Sequence, residues 1–348
     1  MHMANAAPDW AARLALIEEL EDAPLDAELL ARLERRAASV AQRPLRFSTP
    51  TFKTYGSSEL KGCSKMSFPA FSITGGACAL DCDHCHARIL EPMIPATRPD
   101  ILDAEVRRLV AEQDLQGFLL SGGSNRRNEI KYERYWPVVE ALKRDFPHLR
   151  VAVHSALVDA PRARRMADAG VDTAMLDIIG APETVREVYH LERPVDDFEA
   201  SLAALCATGM EVVPHIVIGL HYGEIRGEAN ALDICARHVI HALVLVVIMP
   251  FYATPGTFAT PSPAAVGEVF LTARERLPER EVLLGCARPP GMHKRLTDTY
   301  AVLAGLDGIA FPADGTVAVA SAIGRPCHQE HACCSLKLAQ ARRRVAVA

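Results

Sequence analysis

Phe68-Pro-Ala-Phe-Ser-Ile-Thr-Gly-Gly-Ala-Cys-Ala-Leu-Asp-Cys-Asp-His-Cys-His86 joins a strand-like run, Phe68 to Thr74, to three closely spaced cysteines. Cys78, Cys82 and Cys85 follow the pattern C-x3-C-x2-C. Three thiolates in one short loop can hold three corners of a cubane iron–sulfur cluster and leave the fourth iron open. A structural zinc site asks for four ligands, usually as two pairs. His84 and His86 could complete such a site, so zinc remains an alternative at this point. An open iron at the C-terminal mouth of a parallel barrel would stand where ligands bind in that architecture.

Outward from this loop, short apolar runs alternate with amphipathic stretches. The spacing predicts strands at 69–74, 117–121, 151–154, 173–178, 212–220, 243–249, 281–286 and 308–311. Between them, helical periodicity covers 103–112, 132–144, 160–169, 196–208, 228–236 and 263–276. Strand, crossover helix and strand in regular alternation argue for a parallel sheet. Eight units over about 245 residues fit an α/β (β/α)8 barrel, with a doubly wound open sheet as the runner-up. Ahead of it, residues 10–41 read as helix broken at Pro24, and 43–66 show no clear period. The expected organisation is a cloning remnant at 1–3, an N-terminal helical extension and lead-in over 4–66, the barrel over 67–320 and a cysteine-rich extension over 321–348. Arg342 to Arg344 within that extension read as a solvated helix end.

The chain has 348 residues, a formal net charge of −5 and 49% hydrophobic residues, which is ordinary globular composition. Nothing in that balance suggests nucleic acid as a partner. No apolar run approaches the roughly 18 residues needed to span a bilayer. Ten cysteines with no secretory signal at the start point to a reducing, cytoplasmic setting and to metal or catalytic use. Cys206 and Cys235 sit in apolar helical patterns and read as core packing. Cys327, Cys333 and Cys334 lie together, with Cys63 and Cys286 standing alone. A zinc knuckle with His328 and His331, or incidental thiols, are the alternatives to a cluster at this second group.

The C-x3-C-x2-C loop after the first strand of a (β/α) series resembles the radical S-adenosylmethionine superfamily. That resemblance implies a [4Fe–4S] cluster on Cys78, Cys82 and Cys85. Its open iron would chelate S-adenosyl-L-methionine, and the reduced cluster would generate a 5′-deoxyadenosyl radical. His84, inside the motif, is counted with the cofactor residues. Gly122, Gly123 and Ser124 at the end of the next strand are similar to the family's glycine-rich segment for the methionine amino group, with Ser124 where an acid is frequent. His154, Ser155, Asp177 and His215 end later strands and could bind ribose, carboxylate or substrate. Ile218 lies in a segment similar to the one beneath adenine. Arg288 is the nearest match to a late-strand arginine that, in biotin synthase, reaches an auxiliary cluster, and it could equally hold a substrate carboxylate.

Segments from Met93 to Pro289 together look like biotin-synthase-like radical proteins, some of which are subunits of the two-protein lipoyl synthase. The resemblance implies sulfur insertion into an unactivated C–H bond of an octanoyl chain on an acceptor protein or peptide. It also implies a companion radical subunit, an electron donor such as ferredoxin or flavodoxin, and no nucleic-acid or membrane partner. A second, sacrificial iron–sulfur cluster would draw on Cys327, Cys333 and Cys334, joined by Cys63, Cys286 or Ser335. The alternatives are a radical enzyme of different outcome, such as a methyltransferase, a dehydrogenase or a cofactor-maturation enzyme, and a non-catalytic iron–sulfur partner protein.

Overall fold

The computed structural model describes residues 9–49, 55–60, 66–331, 333–336 and 343–344. Its strands are β1 (Leu45–Ser48), β2 (Ala70–Ser72), β3 (Ile94–Pro95), β4 (Gly117–Ser121), β5 (Arg150–His154), β6 (Thr173–Asp177), β7 (Glu211–Ile218), β8 (Ala242–Val247), β9 (Glu281–Leu284), β10 (Gly308–Ala310), β11 (Cys327–Glu330) and β12 (Arg343–Arg344). They form one sheet in the order β12-β11-β1-β10-β9-β8-β7-β6-β5-β4-β2-β3. Every pairing is parallel except β11 with β12. The eight expected strands are β2 and β4 to β10, lying side by side in chain order with helices between them. The protein is thus an α/β parallel sheet curled as a partial barrel, whose ladder ends on β3 and β12 among the described residues.

Side-chain parity divides each strand between two environments. Phe71, Phe118, Val151, Leu176, Val212 and Leu243 face outward into the large core beneath the helices. Ala152, Met175, Val213, Val244, Leu283 and Ala310 face inward and form a second apolar cluster in the lumen. Strands covered on both faces read as continuous apolar runs, which is how Ala242–Val247 appears in the sequence. No helix among the described residues is long and apolar enough to cross a membrane.

The two ends of the chain differ from expectation. Residues 43–66 were expected as an irregular lead-in, yet β1 lies inside the sheet between β10 and β11. Leu45 and Phe47 enter the outer core, while Arg46 and Ser48 are buried on the opposite, lumen face. A charged residue buried inside a four-residue strand hides its alternation. The C-terminal region contributes β11, and Arg343–Arg344 pairs with Gln329 and His328 as a strand rather than a helix end. The sheet therefore extends past 67 and 320 on both sides. The expected N-terminal helical run breaks into Trp10–Leu14, Ala27–Glu34 and Ala37–Ala41.

Candidate functional site

The cysteine loop sits over the C-terminal ends of β2 and β4. Ala79 N donates to Ser124 O at 2.8 Å, and the Cys78 thiol approaches the same carbonyl at 3.7 Å. Asp83 N donates to Val188 O at 3.0 Å. The Asp83 carboxylate meets His190 Nε2 at 2.8 Å and accepts from the Tyr222 hydroxyl at 2.8 Å. The loop is thereby pinned to the segments after β4, β6 and β7. Gly123 N donates to Thr74 Oγ1 at 2.7 Å. A Cβ on Gly123 would stand 1.9 Å from Ala77 O and 2.6 Å from Cys78 Cα, so only glycine lets β4 end against this loop. Ser124 serves through its carbonyl, and its hydroxyl donates to Asn128 Oδ1 at 3.0 Å.

Cys82 is buried and Cys78 and Cys85 are half-buried. Burial pushes the Cys85 thiol up to about 11, with the neighbouring cysteine and acidic charges adding to it, and it pushes Cys82 upward as well. Cys82 and Cys85 resist ionising here without a strong positive partner, which is what an iron–sulfur cluster supplies. Among the described residues, no three His, Cys, Asp or Glu side chains converge on a position for a single metal ion. A cubane asks for wider spacing, since its cysteines bind different irons. The residues present fit such a cluster. His84 stacks on Tyr189 with ring centroids 5.2 Å apart, its Nδ1 is buried without a partner, and burial lowers its pKa to about 4.

Below the loop, β5, β6 and β7 present His154, Asp177 and His215 to the lumen. His154 Nε2 lies 3.7 Å from Asp177 Oδ1, and the two histidine rings are 5.8 Å apart. Burial opposes charge on Asp177, yet His154, His215 and His84 hold its carboxyl down to about 2. At His154, burial is outweighed by that carboxylate and the pKa rises. Burial, followed by the charge of His154, lowers His215 to about 4. His215 Nδ1 lies 3.1 Å from Val213 O, which makes it the protonated nitrogen and leaves Nε2 as an acceptor. A carboxylate, an imidazole that it draws toward the cationic form and a neutral imidazole in one lumen layer can bind hydroxyl, amino and carboxylate groups of a ligand. Ser155 is turned away, its hydroxyl donating to Ala156 O and Met175 O. The Ile218 side chain lies in the outer core, and its carbonyl accepts from Ile248 N at 3.0 Å.

Arg288 departs from its expected role. Its Nε and Nη2 donate to Asp298 at 2.5 and 2.9 Å, Nη1 to Gly285 O at 2.8 Å and Nη2 also to Phe311 O at 3.0 Å. Both partners of this ion pair are fully buried. Four of the five guanidinium donors are committed to the protein, so Arg288 ties the ends of β9 and β10 to helix Met292–Ala304 rather than reaching a ligand.

The second cysteine group separates by parity. Cys333 and Cys334 lie in the lumen cluster with Cys286, and Ser335 borders Cys333. Cys327 pairs with Leu45, faces the outer core and contacts Arg325 O at 3.4 Å. It does not join the others, and Cys63 lies outside the described residues. Arg46 crosses the lumen to this group, donating to Cys334 O at 3.0 Å and Leu336 O at 3.5 Å, between Glu330 at 3.6 Å and Glu281 at 3.8 Å. Hydrogen bonding from Cys334 draws the Cys333 thiol down, helped by the Ser335 amide and by Arg46. His328 pairs with Glu330 at 3.4 Å and His331 Nδ1 contacts Thr49 Oγ1 at 3.0 Å, and among the described residues no three metal-ligating side chains converge as a zinc knuckle needs. Cys206 and Cys235 pack in the outer core. Sequence reasoning missed Thr74, Asp83, Tyr189, Tyr222 and Arg46. Only Asp83, inside the motif, and Arg46, a lone charge in an apolar run, carried any signal.

Residues 72–232 match the Radical SAM superfamily. The matched stretch, a little under half of the chain, takes in the three cysteines, the glycines after β4 and strands β4 to β7, so the chain is similar to radical SAM proteins there. It is similar to a biotin synthase of Desulforudis audaxviator, 26% identical over 54% of this chain and 58% of that protein; it thus spans little more than half the length of that relative. Its fold is similar to the structure of HydG, a maturase of the [FeFe]-hydrogenase, with a TM-score of 0.58 and 14% identity over 88% of this chain and 68% of the other. Methylornithine synthase gives a TM-score of 0.54 and 14% identity over 88% and 82%.

Proposed function

We propose that this enzyme inserts sulfur into an unactivated C–H bond of a protein-bound octanoyl chain, as one subunit of a two-protein lipoyl synthase in a reducing, cytoplasmic setting. The observation that carries the reading is a second set of thiols, Cys286, Cys333 and Cys334, grouped inside the lumen below the cysteine loop. The cluster and S-adenosylmethionine, when bound, supply the radical that activates the C–H bond. Cys78, Cys82 and Cys85 would hold that cluster, with Gly122, Gly123 and Ser124 closing the loop behind it. His154, Asp177 and His215 would orient the polar parts of S-adenosylmethionine. Cys286, Cys333 and Cys334, with Ser335 at hand, would hold an auxiliary cluster as sulfur donor, and Arg46 would fix the segment that carries it. The octanoylated acceptor and a companion subunit would approach from the mouth.

Anaerobic reconstitution tests the cofactor content: about eight irons per chain are expected, and about four would remove the auxiliary cluster. Changing Cys78, Cys82 and Cys85 to Ala should leave about four irons, held by the lumen cysteines. Incubation with octanoylated acceptor peptide, the companion subunit and reductant should add sulfur, read by mass. Formation of 5′-deoxyadenosine without thiolated product would favour a radical enzyme of different outcome. Absence of 5′-deoxyadenosine would favour a non-catalytic partner protein.

A further inference from the structure

Two residues outside the cysteine loop hold a left-handed backbone, and both direct a hydrogen-bond donor at the same carboxylate inside that loop. His190, in the segment that follows β6, and Tyr222, in the segment that follows β7, each have a φ of 52°. Residues other than glycine persist there only where their surroundings over-determine them, and such residues gather at functional sites. Tyr222 is fixed from its far side: its ring packs on Phe258 with centroids 5.0 Å apart, and its carbonyl accepts from Ala259 N at 3.0 Å. The shared target is Asp83, next to Cys82 and two residues from Cys85. A carboxylate only accepts, so His190 Nε2, 2.8 Å from Oδ1, carries a proton. The Tyr222 hydroxyl lies 2.8 Å from Oδ2 and 3.1 Å from Glu187 O, and the charge-assisted contact takes its hydrogen. Burial, then the bond to Asp83, push Tyr222 up to about 12, so it stays a donor. The loop's other acid, Asp81, is 75% exposed and meets His86 at 3.1 Å, whereas Asp83 is 30% exposed. Asp83 is thus the acid whose charge solvent screens less.

We propose that Tyr222 and His190 are positioning residues that set the reduction potential of the cluster on Cys78, Cys82 and Cys85, by holding the Asp83 carboxylate in the loop and partly neutralising it. The inference rests on the radical reading above. The potential of an iron–sulfur cluster follows the net charge, hydrogen bonding and solvent exposure around it. A carboxylate beside the ligands disfavours the added electron, and a donor on each of its oxygens moderates that effect. Deleting the charge and deleting a donor therefore act in opposite directions. Simple loosening of the loop would move both the same way.

The test is a redox titration of the reconstituted protein, read by electron paramagnetic resonance on the cluster whose signal changes when S-adenosylmethionine is added. Asp83→Asn keeps the size and an acceptor for Tyr222 while deleting the charge. At a fixed potential it should raise the reduced-to-oxidised ratio about tenfold, which is about 59 mV for one electron. Tyr222→Phe should lower that ratio about threefold, and His190→Ala, on the half-exposed side, should lower it less. In the Asp83→Asn background, Tyr222→Phe should lower it far less than in the wild type, because the charge it moderates is gone. Should Tyr222→Phe fail to load iron, His190→Ala carries the same test of sign. Equal midpoints throughout, or shifts of one sign in the charge and donor variants, would overturn the proposal. A wild-type protein with no cluster that responds to S-adenosylmethionine would overturn the radical reading and the proposal with it, whereas a responsive cluster with unmoved midpoints overturns the proposal alone.

Discussion

Replacing Gly123 by Ala should empty the first cysteine site without unfolding the protein. The added Cβ would stand 1.9 Å from Ala77 O, where ordinary contact begins at 3.4 Å, and 2.7 Å from Cys78 Cβ. The shortfall of about 1.5 Å falls on backbone and cannot be relieved by rotating a side chain, so the loop must move as a unit. Overpacking of this kind costs about 1–3 kcal/mol, which a domain with two continuous apolar cores survives. A functional constellation, however, has to be held to within about 0.5 Å. The displacement exceeds that tolerance and carries Cys78 with it, because Ala79 N and Cys78 Sγ are both tied to Ser124 O next to the substituted residue. First-site iron should be largely lost, and 5′-deoxyadenosine formation should fall about a hundredfold. The assay pairs iron and sulfide analysis with thermal unfolding, using Gly122→Ala as the control. There the new Cβ meets Cγ1 of the buried Ile73 at 2.9 Å and no backbone of the cysteine loop, so some stability should be lost while cluster and rate are largely kept. Full iron and near-normal rates in Gly123→Ala would refute the claim that this close approach is what seats the loop.

Arg288→Met leaves the Asp298 carboxylate buried with only the Ala313 amide, so stability should drop by about 3–5 kcal/mol in denaturant titration; a loss of activity at unchanged stability would restore a ligand-binding role. Arg46→Met removes the donors to Cys334 O and Leu336 O and should lower second-site iron while first-site iron stays, with Arg46→Lys intermediate. His154 has a raised pKa in the folded protein. Its linked stability is therefore present below an unfolded pKa of about 6.5 and lost as pH rises through the folded value. Asp177→Asn should lower the NMR titration midpoint of His154 and remove that pH dependence. Asp177 itself has a depressed pKa, so its contribution is present above about 3.9 and is lost only as pH falls toward about 2.

Period and spacing made much of the molecule legible. Gly117–Ser121 and Pro263–Arg276 match their observed bounds because each is a simple pattern covered on known faces. Helix Met292–Ala304 was not predicted because Leu296 to Ala304 are all buried, so no polar face marks its period. In β1 the interior charge of Arg46 masked a strand. The first cysteine group was readable because its ligands are contiguous. In the second, sequence proximity placed Cys327 with Cys333 and Cys334, and strand parity sends it to the opposite face of the sheet from the lumen. Arg288 stood at a strand end like a ligand, and only the position of Asp298, on a helix the pattern did not reveal, decides its partner.

The seating of β1 between β10 and β11 has a consequence for how the chain reaches its final form. An early segment is held on both edges by late ones, and Arg46 binds a carbonyl 288 residues away. Closing so long a loop is slow and yields no contacts until both partners exist. During synthesis Leu45–Ser48 would wait with two open edges while the middle of the sheet assembles locally, and the seam and the lumen cysteines would be completed together as the last cooperative step. Hydrogen exchange during refolding should accordingly show β4 to β8 protected before β1, and loading of the second cysteine group should lag behind loading of the first.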